Sequence, residues 1–291
     1  MERYTDLIAS LPAWPVLDEL IDRALREDLS GGDLTTEATV SPGTQAVATA
    51  VAKSELIVCG GPVFERSFRR LTQPTRFVVH AAEGARVGPG APLWEVAGDA
   101  RGILMAERTA LNFVQRMTGV ASLTRRYVDA LPPRGKTRVT DTRKTTPGLR
   151  ALERYAVRIG GGHNHRDTLS SAVLIKDNHI EAAGGITTAI ERARRYAPHT
   201  TKIEVEVETL AGVDEALAAG ADIIMLDNFA PDALRKAVRR ARGRAFIEVS
   251  GGVTLARIPE LARAGVDAIS VGALTHSAPA ADISLDIQRA P

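Results

Sequence analysis

The sequence predicts an α/β protein in which a small α+β unit with an antiparallel sheet precedes a barrel of parallel strands. From residue 137 onward, short apolar strands alternate with helical stretches, which is typical of parallel βαβ units. Two of these units, AGADIIMLDN and AGVDAISVGA, are near repeats of each other. Six units fit within about 140 residues without the glycine fingerprint of a dinucleotide-binding open sheet, and this favours a barrel.

The first hundred residues predict one helix and several strands. Apolar residues at helical spacing indicate a helix over residues 15–29. Residues 45–59 are rich in Ala, Val and β-branched side chains, so we expect one or two strands there. A Gly-Gly-Pro break then leads into a short helix over residues 63–71. Two further strands, at 77–79 and 93–96, are separated by Gly and Pro residues.

A strongly helical stretch over residues 102–131 separates the two halves of the chain. Gly119 predicts a break in it, because glycine disfavours helix interiors, and a second helix then runs from Ala121 to Leu131. The barrel strands are predicted at residues 138–140, 172–175, 203–205, 223–226, 246–249 and 268–271. Helices between them include residues 213–219, 231–242 and 255–264.

Composition restricts the class of protein. Hydrophobic residues make up 44% of the 291 residues and charged residues 25%, which is typical of a globular protein and excludes disorder. A net charge of +2 and only 4% aromatic residues argue against a general nucleic-acid binder. The only cysteine, Cys59, ends an apolar strand and is expected in the core.

Location is also constrained by the sequence. One cysteine cannot form an intrachain disulfide, and we expect a cytoplasmic protein. The first ten residues, MERYTDLIAS, carry acids and no apolar stretch, so they do not predict a secretory signal. No run of residues approaches the 18 apolar residues of a membrane span, so no membrane partner is expected.

Polar side chains follow the predicted strands, and the active site of a parallel α/β barrel lies where its strands end. Each one alone is consistent with a helix cap or a rim ion pair, but the whole ring predicts a functional site. The ring consists of Asp141, Thr142, Arg143, Lys144 and Thr145 after the first strand, Lys176, Asp177, Asn178 and His179 after the second, Glu206 and Glu208 on the third, and Asp227 and Asn228 after the fourth.

The segment from residue 138 to residue 179 is cationic, with eight Lys or Arg against four Asp or Glu. Its loop GGGHNHRD lets the backbone approach an anion, which His165 and Arg166 can then bind. We therefore expect a small, multiply charged anionic substrate. A metal site at His163 and His165 is the competing interpretation. It is disfavoured because alternate residues of an extended chain face opposite ways.

Two glycine-containing loops predict a phosphate site after the last two strands. Ser250–Gly252 and Gly272–Ala273 can bring backbone N–H groups to one phosphate, although the glycines are also explained by tight turns alone. Glu206 and Asp227 can hold Mg²⁺, bind ribose hydroxyls or stabilise positive charge. These groups together suit transfer of a phosphorylated sugar with departure of pyrophosphate.

Longer motifs carry a resemblance to a known family. The chain contains DTRKTTPGLRALERYAVRIGGGHNHR, then LIKDNH, EVEVE, MLDNF, EVSGGV and AISVGALTHS, and it also contains EDLSGGDLTT and AERTALNFVQRMTGVAS. Over nearly its whole length it closely resembles the quinolinate phosphoribosyltransferases. The resemblance implies an N-terminal α/β sandwich domain over residues 1–118 and an irregular α/β barrel over residues 119–276. It also implies a tail, 277–291, that packs back on the first domain.

The resemblance also implies a reaction and partners. We expect transfer of phosphoribose from phosphoribosyl pyrophosphate to quinolinate with decarboxylation, giving nicotinate mononucleotide, pyrophosphate and CO₂ in NAD biosynthesis. Mg²⁺ is the expected cofactor. The expected assembly is a homodimer or homohexamer with shared active sites, and no nucleic-acid partner is expected. A related enzyme acting on another aromatic acid is the alternative.

Residue roles follow from the same resemblance. Arg143, His165 and Arg166 are expected to hold the quinolinate carboxylates, joined by Arg108 from the neighbouring subunit. The expected catalytic residues are Lys144, Lys176, Glu206 and Asp227, the last two also serving Mg²⁺, with Glu204 and Glu208 left open as alternatives to Glu206. The remaining substrate-binding residues are Thr142 in the first loop and, for the 5-phosphate, Ser250, Gly251, Gly252, Val271, Gly272, Ala273 and His276.

One hypothesis from another class concerns the segment GARVGPGAPLWEVAGDA. Its glycine-spaced strands are similar to those of lipoyl or biotinyl carrier domains. A carrier requires a lysine on an exposed hairpin, and this segment contains none. The sequence therefore favours the transferase over the carrier.

Overall fold

The computed structural model describes residues 11–133 and 135–290. The segment MERYTDLIAS, on which the prediction of no secretory signal rests, lies outside the described residues. Contacts divide the chain into two compact units. Among the described residues, the first unit contains 11–125, Thr146–Gly161 and 275–290, and the second contains 126–133, 135–145 and Gly162–Leu274. The family-based division after residue 118 stays a prediction.

The structure contains several elements that the sequence pattern did not indicate, among them helices at residues 34–39 and 150–159 and a strand at residues 283–289. Up to residue 129 the elements are α1 (Trp14–Leu29), α2 (Leu34–Thr39), β1 (Gln45–Ala52), β2 (Leu56–Ile57), α3 (Gly61–Arg69), β3 (Arg76–Val79), β4 (Arg86–Val87), β5 (Pro92–Asp99) and α4 (Ala100–Asp129). The remainder are β6 (Arg138–Thr140), α5 (Arg150–Ile159), β7 (Val173–Ile175), α6 (Asp177–Ala183), α7 (Ile186–Tyr196), β8 (Ile203–Val207), α8 (Leu210–Ala218), β9 (Ile223–Asp227), α9 (Pro231–Ala241), β10 (Phe246–Ser250), α10 (Ile258–Arg263), β11 (Ala268–Ser270), α11 (Ala273–His276) and β12 (Ile283–Arg289).

The first unit is built on an antiparallel sheet in the order β12-β1-β5-β3. Every second residue of β1 is a buried alanine, and these small side chains leave room for the larger residues of the core. The core is aromatic at its centre. Phe64 contacts Phe68 edge to face at 4.9 Å between ring centroids, and Trp94 lies 5.1 Å from Phe64. Cys59 is fully buried, as the sequence predicts.

Helix α4 corrects one prediction. The sequence indicates a break at Gly119, but α4 continues through this residue to Asp129. A Cβ atom at Gly119 would lie 2.0 Å from the carbonyl oxygen of Pro279, so glycine permits close approach of another chain segment. Gly119 is therefore required because the segment around Pro279 packs against this point of α4. The helix continues through it although glycine is a poor helix former.

The second unit is the parallel α/β barrel that the sequence predicts. Its six strands lie in the order β6-β11-β10-β9-β8-β7, and the pairings are parallel. The barrel is irregular beside β6, where the backbone at His163 forms a parallel bridge with Thr140. The observed β8, β9 and β10 each extend beyond their predicted ends, so that Glu206, Asp227 and Ser250 are strand residues.

Even the 30-residue helix α4 is interrupted by charged residues, and no helix among residues 11–133 and 135–290 combines the length and apolarity needed to cross a bilayer.

Candidate active site

A cavity of about 280 Å³ lies in the second unit and collects most of the predicted substrate residues. The polar residues that follow β6, β7 and β10 reach it because the carboxyl ends of parallel strands share one end of a barrel. Three lining residues were missed by the sequence analysis: Leu174, Met225 and Ser270. The predicted residues that line it are Thr142, Arg143, Lys144, His165, Arg166, Lys176 and Ser250.

Asp141, the first polar residue after β6, is fully buried and organises the neighbouring loop. Its Oδ1 accepts a hydrogen bond from the backbone N–H of His165 at 2.7 Å, and its Oδ2 accepts one from Asn164 Nδ2 at 2.6 Å. The backbone N–H of Asp141 in turn donates to the carbonyl of His163 at 3.1 Å. This carboxylate therefore fixes the loop that carries His165 and does not line the cavity.

Both ring nitrogens of His165 are engaged by protein groups. Nδ1 accepts the backbone N–H of Arg166 at 2.8 Å. Nε2 lies 3.2 Å from Glu204 Oε2 and 3.4 Å from Glu248 Oε1. Burial lowers the pKa of His165, but Glu204 and Glu248 outweigh it and the net direction is upward. The N–H that points at Nδ1 opposes a second proton on the ring.

Glu204 and Glu248 form a buried acidic pair beside His165. The sequence analysis did not predict that either acid contacts this histidine. Each is less than 5% exposed, and Ser270 Oγ donates a hydrogen bond to Glu248. Burial raises the pKa of Glu248 to about 7, and the negative charge of Glu204 adds to the effect. The available signal was an acid placed between apolar residues of a predicted strand, in both EVEVE and FIEVS.

This cluster is also the place where a metal would find ligands. One atom each from His165, Glu204 and Glu248 lie within 4.8 Å of one another. His163 is not a member of the group, so the predicted alternative of a His163–His165 metal site is not the arrangement seen among the described residues. The short contact of His165 Nε2 with the two carboxylates is accounted for by hydrogen bonding alone.

Arg166 and Arg143 bring two positive charges to the same cavity. The Arg166 guanidinium donates to the carbonyl of Ala172 at 3.0 Å, which sets its direction. Burial lowers the pKa of Arg166, and the nearby charge of Arg143 lowers it further. Two guanidiniums that repel each other in a partly buried cavity are stabilised when an anion with two carboxylates lies between them.

Lys176 and Glu206 form an ion pair at the ends of β7 and β8. Lys176 Nζ donates to Glu206 Oε2, and Asp227 lies at the end of the next strand. Burial raises the pKa of Asp227, and the negative charge of Glu206 raises it further. Of the three acids of EVEVE that the sequence left open, Glu206 therefore faces Lys176 and Asp227. Glu208 is exposed.

The glycine after β10 is required by its neighbours. Gly251 has φ of 87°, and a Cβ there would lie 2.4 Å from Asn228 Oδ1 and 2.6 Å from Asp227 Oδ1. Asn228 itself has φ of 54° and donates from Nδ2 to Asp227 Oδ2 at 2.7 Å. Gly251 is therefore required by its positive φ and by the close side chains, as a tight turn predicts. A Cβ atom at Gly252 would meet nothing within 4 Å, so the backbone of Ser250–Gly252 is open to an anion on that side.

The second predicted phosphate loop follows the neighbouring strand. Val271, Gly272 and Ala273 come directly after β11, which pairs in parallel with β10. Ala273 begins the four-residue helix α11, whose last residue, His276, is exposed. The two loops therefore follow adjacent strands, which is the relation that the sequence predicts.

Some polar residues of the predicted ring cap a helix. Asp177, Asn178 and His179 are exposed in the first turn of α6. His179 Nδ1 accepts the backbone N–H of Lys176 at 3.0 Å, which satisfies a group that the helix leaves without a partner. His179 is thus explained by helix capping, Asp177 Oδ1 accepts the backbone N–H of Asn178 at 2.8 Å, and none of the three residues lines the barrel cavity.

Arg108 lies in the first unit, on the exposed side of α4. It lines a different cavity, of about 480 Å³, in which Thr109, Asn112 and Phe113 also take part. It is not one of the residues that line the barrel cavity. No signal in the sequence other than the family resemblance connects Arg108 with substrate.

Comparisons with known proteins agree with this architecture. The family model for the N-terminal domain of quinolinate phosphoribosyl transferase matches residues 33–118, and that for its C-terminal domain matches residues 120–286. A probable nicotinate-nucleotide pyrophosphorylase [carboxylating] of Bacillus subtilis is 43% identical over 272 residues, covering 93% of each chain. The Mycobacterium leprae nicotinate-nucleotide pyrophosphorylase [carboxylating] is 44% identical over 276 residues, covering 92% of this chain and 96% of the relative.

A solved structure shares the fold. The crystal structure of NadC from Streptococcus pyogenes superposes with a TM-score of 0.90 and 41% identity, covering 94% of this chain and 98% of that one. An N-terminal domain followed by an α/β barrel is therefore common to both proteins.

Proposed function

The chain belongs to the quinolinate phosphoribosyltransferase family, and we propose that the barrel cavity is where it binds both substrates of that family's reaction. The enzyme transfers phosphoribose from phosphoribosyl pyrophosphate to quinolinate and releases CO₂, forming nicotinate mononucleotide for NAD synthesis. The assignment of this cavity as the substrate site depends on one observation, that Arg143 and Arg166 both line it.

Quinolinate fits this pair of cations. It is a flat pyridine ring with two adjacent carboxylates, and each guanidinium can donate two parallel hydrogen bonds to one carboxylate. Lys144 and Lys176 add positive charge to the same cavity, while Leu174 and Met225 offer apolar contact for the ring. A cavity of about 280 Å³ is of the size that encloses a small ligand of this kind.

Phosphoribosyl transfer forms one bond and breaks another. The quinolinate ring nitrogen bonds to C1 of the ribose while the C1–O bond to pyrophosphate breaks, and the transition state has oxocarbenium character. Glu206 and Asp227, at the ends of neighbouring strands, stabilise the positive charge on the ribose and accept hydrogen bonds from its hydroxyls. Lys144 and Lys176 stabilise the charge of the departing pyrophosphate.

Glu206 and Asp227 also fit Mg²⁺. Both offer carboxylate oxygens, which this cation prefers. Burial and the negative charge of Glu206 raise the pKa of Asp227, and a divalent ion would relieve the repulsion between the two carboxylates. We assign them to hold Mg²⁺, directly or through water. Once bound there, the ion would neutralise charge on the pyrophosphate group.

The loops after β10 and β11 are assigned to the 5-phosphate of the ribose. Because Ser250–Gly252 and Val271–Ala273 follow adjacent parallel strands, their backbone N–H groups can converge on one phosphate, as they do in barrel phosphate sites. Gly252 leaves the space above its backbone open. His276 is assigned to the same phosphate on the family resemblance alone.

Decarboxylation needs no further electron sink. After the transfer, the ring nitrogen is a cationic pyridinium, and the bond to the adjacent carboxyl group can break heterolytically. The electron pair stays on the ring carbon beside the positive nitrogen, CO₂ leaves, and a proton replaces it. The positive nitrogen of the substrate stabilises the carbanion that CO₂ leaves behind, a function that a pyridoxal or thiamine cofactor has in other decarboxylases.

The assembly is assigned on the same basis. We propose a homodimer or homohexamer in the cytoplasm in which Arg108 of one subunit completes the quinolinate site of another. The exposure of Arg108 on α4 supports this assignment, because a buried arginine could not reach a second chain. Neither nucleic acid nor a membrane is a proposed partner.

Incubation of the purified protein with quinolinate, phosphoribosyl pyrophosphate and Mg²⁺ tests the function directly. We expect nicotinate mononucleotide and CO₂ in equal amounts, measured by chromatography and by release of labelled CO₂ from quinolinate. Nicotinate in place of quinolinate is the control and should give no nucleotide. Turnover of a different aromatic acid in place of quinolinate would instead identify the alternative enzyme.

A further inference from the structure

We propose that His165 is a positioning residue that acts on quinolinate through Arg166, and that Glu204 and Glu248 hold its ring in place. This inference rests on the proposed quinolinate site, in which the resemblance makes His165 a direct carboxylate ligand. In the structure, the ring nitrogens that such a ligand would use are directed at protein groups.

The contact at Nδ1 links His165 to the substrate-binding guanidinium. Nδ1 accepts the backbone N–H of Arg166 at 2.8 Å, which fixes the direction in which the Arg166 side chain leaves the backbone. The far end of the same side chain donates to the carbonyl of Ala172 at 3.0 Å. Arg166 is thus held near both ends, and the orientation needed for a bidentate contact is set before the substrate arrives.

The contact at Nε2 holds the ring from the opposite side. Nε2 lies 3.2 Å from Glu204 Oε2 and 3.4 Å from Glu248 Oε1, and both carboxyl groups are buried. Glu248 is itself fixed by Ser270, whose hydroxyl lies 2.7 Å from Thr140 Oγ1. The ring is only 13% exposed, so it has little freedom to turn toward a ligand.

These contacts select one protonation state of the ring. Since Nδ1 already accepts an N–H, the ring proton lies on Nε2, where it is donated to the carboxylates. A proton on Nδ1 would face the Arg166 N–H and break the link between the ring and that backbone. Asp141, Glu204 and Glu248 are the acidic groups that raise the pKa of the ring against burial, and the two glutamates lie at Nε2, where they favour a proton.

Two substitutions separate this role from direct binding. An asparagine side chain places its amide oxygen near the position of Nδ1, whereas a glutamine side chain reaches the position of Nε2. We therefore expect His165→Asn to keep the KM for quinolinate within about threefold of the unsubstituted enzyme. His165→Gln should raise it by about tenfold or more, since only the asparagine retains an acceptor for the Arg166 N–H. The KM for phosphoribosyl pyrophosphate should stay unchanged in both variants.

The reverse order of the two variants would overturn the inference, because a direct ligand that uses Nε2 is better replaced by glutamine. A parallel loss of affinity for both substrates would also overturn it, since that pattern indicates general disruption. Absence of nucleotide formation by the unsubstituted enzyme would instead contradict the proposed function. The failures of the two proposals are therefore distinguishable.

The acidic pair has its own matched test. Glu204→Gln retains an acceptor for Nε2–H and should leave the quinolinate KM nearly unchanged, while Glu204→Ala should raise it about as much as His165→Gln. Glu208→Gln, at the exposed acid of the same motif, is the control. Equal effects of Glu204→Gln and Glu204→Ala would contradict a role as hydrogen-bond acceptor.

A measurement without substrate keeps the inference testable if variants fold poorly. Nitrogen-15 NMR of the histidine-labelled, unsubstituted enzyme reports which ring nitrogen carries the proton. We expect the signal of His165, assigned by its loss in His165→Asn, to show the Nε2–H form at neutral pH. A proton on Nδ1, whether alone or together with one on Nε2, would be incompatible with the link to Arg166 and would overturn the inference.

Discussion

Glu153, a fully buried acid of α5, is paired with Arg116 of α4 at 2.8 Å. The same carboxylate accepts hydrogen bonds from the backbone N–H of Thr146 at 3.1 Å and from its hydroxyl at 2.7 Å. Arg116 also donates to the carbonyl of Ala278 at 2.8 Å. One ion pair thus joins three separate parts of the sequence within the first unit.

Removal of the carboxylate from this pair should destabilise the protein strongly. Glu153→Ala leaves Arg116 largely buried without its counter-ion, and loss of one partner of a buried pair costs about 3–5 kcal/mol. Urea unfolding followed by circular dichroism measures the change. Glu191→Ala, at an exposed acid of α7, is the control and should stay within about 0.5 kcal/mol. A loss below about 1 kcal/mol at Glu153 would show that the pair contributes little.

The two guanidiniums of the cavity should be needed for quinolinate and not for the fold. We expect Arg143→Ala and Arg166→Ala each to weaken quinolinate binding by about 30-fold or more, because each leaves a carboxylate without its charged partner. Isothermal titration gives the affinities. Affinity for phosphoribosyl pyrophosphate should change much less. Normal saturation with quinolinate in both variants would exclude the assignment of this cavity.

Sharing of sites between subunits can be tested by mixing inactive variants. Arg108→Ala and Lys144→Ala should each lose most activity while keeping the folded state, since Arg108 is exposed. In mixed oligomers, some sites receive an intact Arg108 and an intact Lys144 and should recover activity. The assay is the nucleotide-forming reaction after subunit exchange. No recovery, with exchange demonstrated by mass spectrometry of differently tagged chains, would argue against shared sites.

Gly119 should resist substitution despite its helical position. Gly119→Ala places a methyl group 2.0 Å from the carbonyl oxygen of Pro279, so the segments must separate. We expect a loss of about 1–3 kcal/mol in the free energy of unfolding, typical of overpacking. Gly88→Ala, where a Cβ meets nothing within 4 Å, is the matched control and should be nearly neutral. Stabilisation by Gly119→Ala, as expected from helix propensity alone, would contradict the packing explanation.

A buried carboxyl in the first unit predicts a pH dependence of stability. Burial raises the pKa of Glu83, against hydrogen bonds donated by the backbone of Gly60 and Gly61 and by Tyr155. Because the folded-state pKa lies above the unfolded value of about 4.3, this group stabilises the fold fully below that value. The contribution is lost as pH rises through the raised pKa.

Glu83→Gln removes this titration while retaining a side-chain oxygen for the two backbone N–H groups. The difference in unfolding free energy between variant and unsubstituted protein should therefore shift in favour of glutamine as pH rises from about 5 to about 8. Urea unfolding across that pH range measures it. A difference that is constant across the range would show that Glu83 does not change its protonation there.

Several features of this protein could be predicted from local patterns. The alternation of strands and helices after residue 137 predicted the parallel barrel, because each βαβ unit is recognisable within a few dozen residues. Residues such as Arg143 and Lys176 were expected at the cavity because each follows a strand, and strand ends meet at one end of a barrel. The family was recognisable from long ordered motifs that need no knowledge of contacts.

Other features depend on which residues meet across the fold. Glu204 and Glu206 lie two residues apart on one strand, so period-two alternation gives both the same face and cannot assign one to His165 and the other to Lys176. Asp141 looks like an active-site acid in the sequence, but its partners, Asn164 and His165, lie more than 20 residues away.

The chain by itself therefore determined the fold class, the family and the set of polar residues at the strand ends, because these follow from short-range periodicity and contiguous motifs. The tertiary structure decided which of those residues line the cavity, which cap a helix and which hold another side chain in place. It also decided why Gly119 lies inside a helix, since Pro279 approaches it from a distant part of the chain. The physical reason is that burial and hydrogen-bond partners are set by register between segments that are far apart in sequence.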